Sequence, residues 1–195
     1  MSDPVYEAFL DVVAADAADC CNGSDILTLT PRVCTDRPPC VYDAELRDVE
    51  HLARVVDGTV RVSSDVVVFT VQFPTDYCRS TDASLQFRVV SVSVPLFHPN
   101  VRGSLVCLGP RFRPGTRLRP LLEQIYRIVS GRVRATEHAF EAEACWYYLR
   151  NLDQVRALRA RPLWRRPVIG RASVTHGQPQ DAETLNSPNA TERCP

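Results

Sequence analysis

The residue types best suited to chemistry stand close together between positions 97 and 109 of the chain. A His-Pro-Asn turn, His98 to Asn100, precedes Cys107, which lies on an apolar stretch. A thiol can hold a carbonyl group as a thioester, and an Asn amide beside it can donate hydrogen bonds to the oxyanion formed when an amine attacks. The segment therefore has the layout of an acyl carrier, with Cys107 as nucleophile, Asn100 as oxyanion donor and His98 shaping the turn.

Each of these features is ordinary when it occurs alone. A lone buried cysteine is usually an inert small hydrophobe, and a Pro-Asn pair usually marks a turn. Their order and spacing, with a Phe-Pro-Thr-Asp-Tyr segment at 73–77 upstream, favour the functional interpretation.

The segment resembles the active-site motif of ubiquitin-conjugating enzymes, and the resemblance extends along the chain. Residues 68–77 are similar to that family's strand leading into a loop, and residues 109–129 to its post-cysteine loop and following helix. The resemblance covers Tyr42 to Arg161. It implies a ubiquitin-conjugating-like α+β fold, in which helices flank an antiparallel sheet.

The resemblance also implies an activity and its partners. Cys107 would accept a ubiquitin-like modifier as a thioester from a ThiF-like activating enzyme and pass it to an amine, with Lys as the expected acceptor. Often a JAB-type metalloprotease belongs to such a system. No cofactor and no metal is implied. By position alone, Glu137 is a candidate for the acidic residue that family members often place near the acceptor, and a solvated surface charge is the alternative.

Three departures make the chain look more like the divergent bacterial branch of the family. Tyr77 is followed by Cys78, where the family usually has Pro, so the turn must be held in another way. Cys107 follows Asn100 by seven positions, where the better-known eukaryotic members usually have one more. The Trp often found after the cysteine is absent, and Phe112 is the candidate replacement.

Two functions from other classes stay open. One is a non-catalytic binding module on the same fold, because a fold does not determine function; such variants typically lack the cysteine, which this chain keeps. The other is a cysteine hydrolase that uses Cys107 with His98 or His138, and it requires a His oriented by Asn or Asp against the thiol. For any of these chemistries, Arg102, Arg111 and Arg113 could favour the thiolate by folding over the cysteine.

Composition narrows the class of protein. With 195 residues and 45% hydrophobic content, the chain can bury a core of its own. It has no run of eighteen apolar residues and no signal-peptide pattern, so we expect a cytoplasmic protein without a membrane partner. The eight cysteines are then expected to be thiols or metal ligands and not a disulfide framework. The chain has no Cys-x-x-Cys pair, so zinc is not favoured at the cluster of Cys20, Cys21, Cys34 and Cys40.

Charge is unevenly distributed although the formal net charge is zero. The first 57 residues are acidic, and residues 102–171 are rich in Arg. The arginines are scattered without interleaved exposed aromatics, which argues against nucleic acid as a partner. Pairing of the two segments within the chain, or docking of an acidic partner, is favoured instead. All 23 basic residues are Arg, so the chain offers no Lys amine to a thioester.

The elements that must position the site follow from hydrophobic spacing. We predict an N-terminal extension at 1–41 with a weak helix at 5–18, a catalytic domain at 42–171 and a flexible tail at 172–195. Within the domain we predict a first helix at 42–56 ended by Gly58, strands at 59–63 and 66–73, and strand-like alternation at 85–94 with a bulge near Val89. Further helices are predicted at 118–129 and from near Glu137, where Trp146, Tyr147 and Tyr148 are expected to pack.

Overall fold

A six-stranded antiparallel sheet carries the fold, and helices pack against it. The computed structural model describes residues 3–32, 38–110, 112–133 and 139–165. The predicted class, α+β with an antiparallel sheet flanked by helices, is confirmed. The predicted tail at 172–195 lies outside the described residues.

The elements are numbered in chain order. The helices are α1 (Pro4–Asn22), α2 (Gln86–Val89), α3 (Leu118–Val129), α4 (Ala142–Arg150) and α5 (Leu152–Arg156). The strands are β1 (Leu27–Pro31), β2 (Val41–Leu46), β3 (His51–Arg54), β4 (Val60–Ser63), β5 (Val67–Gln72), β6 (Val90–Val92), β7 (Val101–Arg102) and β8 (Leu105–Val106).

The main sheet has the strand order β1-β2-β5-β6-β8-β7, and every neighbouring pair is antiparallel. Strands β3 and β4 form a separate hairpin. Alternate residues of the central strands face the core, as expected when one face of an antiparallel sheet is covered. On β5 these are Val67, Phe69 and Val71, which are almost fully buried.

Helix α1 belongs to the same hydrophobic core as the sheet. Asp3 caps it by accepting a hydrogen bond from the N–H of Val5 at 3.0 Å, and Tyr6, Leu10 and Val13 are buried with α3 and the sheet. Strand β1 pairs with β2 along its whole length. The boundary expected at residue 41 therefore does not separate two packing units, because α1 and β1 complete the core of the sheet.

The helix predicted at 42–56 is wrong. Tyr42, Ala44 and Leu46 are buried at every second position of β2, and the chain then turns at Asp48, whose φ of 55° is left-handed, before β3 begins. The large apolar residues of this segment recur at the spacing of a helix. The buried alternation of the strand includes the small residue Ala44, which a search for large apolar residues overlooks. Gly58, with φ of 83°, forms the β3–β4 turn instead of ending a helix.

The first part of the strand-like segment predicted at 85–94 is also wrong, because residues 85–89 are helical. The strand β6 confirms the second part. Asp82 accepts a hydrogen bond from the N–H of Ser84 at 2.8 Å and starts a 3-10 turn that leads into α2. Leu85 and Val89, four positions apart, are fully buried on one side of this helical segment. The phase shift near Val89 thus marks the change from helix to strand, and no bulge is needed.

Helix α3 is confirmed with the predicted bounds. It buries an apolar stripe against α1 and the sheet, and its Pro120 lies in the first turn, where the missing N–H is tolerated. Helices α4 and α5 pack through Ala144, Tyr148 and Val155 in a second cluster with β3. Trp146 is 63% exposed, so the prediction that it packs is wrong.

Ion pairs join the acidic N-terminal segment to the Arg-rich segment, as predicted. The Arg117 guanidinium on α3's N-terminal side forms two hydrogen bonds with the Asp16 carboxylate of α1. Arg165 and Arg161 both lie within ion-pair distance of Asp25. In the part of the chain that the structure describes, no helix combines the length and apolar character of a membrane-spanning segment.

Candidate functional site

A short hairpin brings the His-Pro-Asn turn and the cysteine together. Val101 of β7 pairs with Val106 of β8, and Gly103, with φ of 58°, lies in the two-residue turn between them. Asn100 precedes β7 and Cys107 follows β8, so the next pair along the hairpin is Asn100 and Cys107. The backbone N–H of Cys107 donates to the Asn100 carbonyl at 2.7 Å. A separation of seven residues is what a two-residue turn requires for this pairing.

Asn100 also holds the cysteine through its side chain. Its Nδ2 donates to the backbone carbonyl of Cys107 at 3.0 Å, and the residue is only 1% exposed. Both backbone groups of Cys107 are therefore bound to Asn100. The amide nitrogen carries two hydrogens, of which this bond uses one. Its Oδ1 is buried without a hydrogen-bond partner among the described residues, so the carboxamide is held from its nitrogen end.

His98 holds the turn with both ring nitrogens. Its Nδ1 accepts a hydrogen bond from the backbone N–H of Asn100 at 3.0 Å. The proton must then reside on Nε2, which donates to the carbonyl of Val133 at 2.9 Å. Complete burial lowers the pKa of His98 to about 3, against the opposing effect of the Val133 bond. The ring is neutral, and neither nitrogen is left for proton transfer with Cys107.

Cys107 itself is half-buried, and its thiol faces a residue that sequence analysis missed. The Oε1 atom of Gln86, at the start of α2, lies 3.7 Å from Cys107 Sγ and accepts the N–H of Leu108 at 3.1 Å. The carbonyl of Leu108 in turn accepts a bond from Gln124 of α3 at 3.2 Å. Side chains from two helices thus hold the backbone on the far side of the cysteine.

The nearby arginines are engaged elsewhere. The Nε of Arg102 lies 3.2 Å from Glu141 Oε2, and its guanidinium lies over the Phe140 ring. Arg113 donates to the carbonyls of Pro110 and Phe112 at 2.6 and 2.8 Å. Neither guanidinium bonds to the thiol. The other candidates for acting on it, Arg111, Glu137 and His138, lie outside the described residues.

The turn around Tyr77, where Cys78 stands in place of the expected Pro, is held by hydrogen bonds and an ion pair. The N–H of Tyr77 donates to the carbonyl of Pro74 at 2.8 Å, and its buried hydroxyl donates to the carbonyl of Thr116 at 2.8 Å. Arg88 of α2 binds the Asp76 carboxylate through both nitrogens at 2.7 and 3.2 Å. The expected replacement for Trp, Phe112, packs against Tyr77 with ring centroids 6.3 Å apart.

A groove of about 470 Å³ is lined by residues 80–83, by Gln86 and by residues 109–110 and 112–114. Gln86 also faces the Cys107 thiol, so the groove and the surroundings of the sulfur share this residue. The walls of the groove are mostly small or polar, with Phe112 as the aromatic contribution. Gly109, with φ of 84°, lies on its rim next to Leu108, in a conformation that other residues adopt only with strain.

The arrangement fits covalent acyl transfer. Within the described ranges, no group of three or more His, Cys, Asp or Glu side chains is placed to hold a metal ion. No protein-family model matches the chain, and a comparison with curated proteins finds no match. The functional assignment therefore depends on the geometry around Cys107.

Proposed function

We propose that this protein is a ubiquitin-conjugating-like enzyme. Cys107 accepts a ubiquitin-like modifier as a thioester from a ThiF-like activating enzyme and transfers it to an amine, with a Lys side chain as the acceptor. The observation that carries the proposal is the pairing of a half-buried thiol with a buried carboxamide that binds the cysteine's own carbonyl. A JAB-type metalloprotease is the partner that would reverse the modification.

Two exchange steps make up the reaction. In the first, the Cys107 sulfur attacks the thioester carbonyl of the activating enzyme; a new C–S bond forms, the old one breaks, and the departing thiolate takes the proton that the Cys107 thiol gave up. In the second, the acceptor amine attacks; a C–N bond forms, the C–S bond breaks, and the Cys107 sulfur takes up the proton that the amine releases. Thioester exchange is nearly isoenergetic, so the protein supplies position and oxyanion stabilisation.

The contacts of Asn100 and His98 support distinct roles for these residues. The Asn100 amide has one hydrogen that its bond to the Cys107 carbonyl does not use. We assign this N–H as the donor to the oxyanion. His98 holds the turn that aims the amide, because both of its ring nitrogens are bound. The same observation disfavours a hydrolase that uses His98 as its base.

The order of elements is compatible with the resemblance once the first helix is assigned to α1. That helix precedes the sheet, the cysteine follows the β7–β8 hairpin, and α3 follows the cysteine. The acidic residues Asp43 and Glu45, which fall within the segment predicted as the first helix, lie on β2. Asp43 pairs there with Arg32 at 2.8 Å.

A gel assay tests the proposal. The purified protein is incubated with a ThiF-like activating enzyme, its modifier and ATP, and adducts are separated with and without reductant. We expect a reductant-sensitive adduct that Cys107→Ala abolishes, while Cys107→Ser forms a slower, reductant-resistant ester, because oxygen is the poorer nucleophile. Cys21→Ser, which alters an exposed cysteine on α1, is the matched control and should load normally.

The outcomes separate the three classes of function. Binding of the modifier without any adduct would instead indicate a binding module. Release of the modifier's acyl group to water without a stable adduct would indicate a hydrolase. A normal adduct on Cys107→Ala would place the nucleophile at another cysteine.

A further inference from the structure

Gln86 is fixed in place by its helical segment. Leu85 and Val89 on either side of it are buried in the core, and Arg88 ties α2 to the Asp76 carboxylate. The Nε2 of Gln86 donates to the carbonyl of Ala83 at 3.3 Å. The segment therefore presents the carboxamide to Cys107 from a position that does not depend on the hairpin.

The orientation of this carboxamide is determined by its partners. The backbone N–H of Leu108 can only donate, so the atom that faces it must be the acceptor Oε1. The Ala83 carbonyl can only accept, so the atom that faces it must be Nε2. A flipped amide would set two donors against each other at Leu108 and two acceptors against each other at Ala83. The oxygen of Gln86 therefore faces the Cys107 thiol.

We propose that Gln86 is a positioning residue for Cys107, a role that rests on the acyl-carrier function proposed above. In the free protein its Oε1 accepts from the thiol and sets the direction of the side chain. Once Cys107 carries an acyl group, the thiol hydrogen is gone, and the thioester oxygen is an acceptor that Oε1 repels. The thioester carbonyl is thereby turned away from α2, which leaves the Asn100 amide as its carboxamide donor.

This role requires no proton transfer by Gln86. Its amide neither gains nor loses a proton in either exchange step, and its bonds to Leu108 and Ala83 persist throughout. Its effect on the rate arises because the carbonyl is oriented before the amine attacks. Loss of Gln86 removes this orienting repulsion together with the bond from the Leu108 N–H, and discharge should slow roughly tenfold.

A small thioester tests this role without any partner protein. The probe is the thioester of acetylglycine with mercaptoethanesulfonate; Cys107 attacks its carbonyl, and mercaptoethanesulfonate leaves as the thiol. Discharge of the acyl-protein to free lysine is followed by intact mass, with the site verified by peptide mapping. Gln86→Leu, of similar size without an acceptor, should discharge about tenfold more slowly than wild type.

The control variant removes a glutamine acceptor elsewhere. Gln154 on α5 accepts a hydrogen bond from the Tyr147 hydroxyl at 2.9 Å, so Gln154→Leu removes a carboxamide acceptor that binds neither Cys107 nor Leu108. It should lower the melting temperature and leave discharge unchanged. If Gln154→Leu slows discharge as much as Gln86→Leu, or if Gln86→Leu discharges like wild type, the positioning role is refuted.

A second measurement depends only on the proximity of Gln86 to the sulfur. Gln86→Glu places a carboxylate there, so alkylation of Cys107 by anionic iodoacetate should fall about fivefold relative to neutral iodoacetamide, the factor expected for two like charges about 4 Å apart in water. Gln72→Glu adds the same charge at an exposed position on β5, two strands from β8, and should leave the ratio unchanged. An unchanged ratio in Gln86→Glu would show that Gln86 does not face the thiol.

These assays use no activating enzyme and no modifier. Their failure refutes the role of Gln86 and leaves the conjugating function standing. Failure of the enzyme-driven adduct with normal probe chemistry refutes the function and leaves Gln86 as a positioning residue for the thiol.

Discussion

Replacing Asn100 with Ala should separate its contribution to stability from its contribution to the reaction. The substitution removes the Nδ2 bond to the Cys107 carbonyl. It keeps both backbone bonds of the turn, from Asn100 to His98 and from Cys107 to Asn100. The buried Oδ1 without a described partner disappears as well, which offsets part of the loss. We expect a destabilisation of about 1 kcal/mol, or a melting temperature lower by roughly 2–4 °C.

The effect on discharge should be larger. Removal of one oxyanion donor typically slows the chemical step about a hundredfold, which corresponds to about 2.7 kcal/mol in the barrier. This exceeds the expected loss of stability, because the donor acts mainly on charge that develops in the transition state. Loading of Asn100→Ala should stay normal, since the attacking group in that step is the Cys107 thiolate, which is a stronger nucleophile than an amine.

The assay is single-turnover discharge of the loaded protein to free lysine, read on non-reducing gels. Asn151→Ala is the matched control, because Asn151, at the end of α4, also donates through its Nδ2 to a backbone carbonyl, that of Tyr147 at 2.9 Å, and this bond does not involve Cys107. It should lose similar stability and discharge normally. Discharge of Asn100→Ala at the wild-type rate, or an equal slowing in Asn151→Ala, would refute the oxyanion role.

Two further predictions concern pH and the missing lysines. Because the pKa of His98 is lowered in the folded chain, its contribution to the free energy of unfolding is fully present above the ordinary histidine pKa of about 6.5. This contribution is lost as the pH falls toward 3, since the unfolded chain binds a proton that the folded chain does not. Near pH 5, the free energy of unfolding should change by about 1.4 kcal/mol per pH unit because of this group, and urea unfolding of His98→Gln should show a pH dependence smaller by about that amount; an unchanged pH dependence would exclude a buried neutral His98. Arg102→Lys, on β7, should give loaded protein a reductant-resistant self-modified band, since a tethered amine has a high effective concentration. Arg47→Lys, which follows β2 three strands from β8, should not form this band, and equal rates in both variants would attribute the absence of Lys to genome composition.

The parts of the fold that the sequence predicts correctly are those with one unambiguous period. Helix α3 has a continuous apolar stripe over 118–129, and its bounds match the prediction. Strands β4 and β5 are short Val-rich runs between turn residues, and both are confirmed. At 42–56, two periods overlap on the same large residues. There, pairing of β2 with both β1 and β5 selects the strand, and such long-range pairing is invisible in local spacing.

The same distinction between local and long-range contacts applies to the candidate site. The pairing of Asn100 with Cys107 is local, because a hairpin of fixed turn length relates the two residues, and their proximity is predictable from the sequence. Gln86 lies 21 positions before the cysteine and belongs to no motif. Its contact exists only because α2 packs beside β8, so the sequence alone offers no signal for it.

The arginines of this chain show why the absence of Lys has more than one cause. Arg32, Arg88 and Arg117 each bind a carboxylate through two nitrogens, a geometry that the planar guanidinium supports and an ammonium does not. Folding alone therefore favours Arg at those positions. Arg127 and Arg150 form no ion pair with another described residue, and Lys would serve equally well there. The choice of Arg at such positions reflects either codon composition or the avoidance of an amine near a thioester, and the self-modification of Arg102→Lys distinguishes these causes because it measures whether such an amine is attacked.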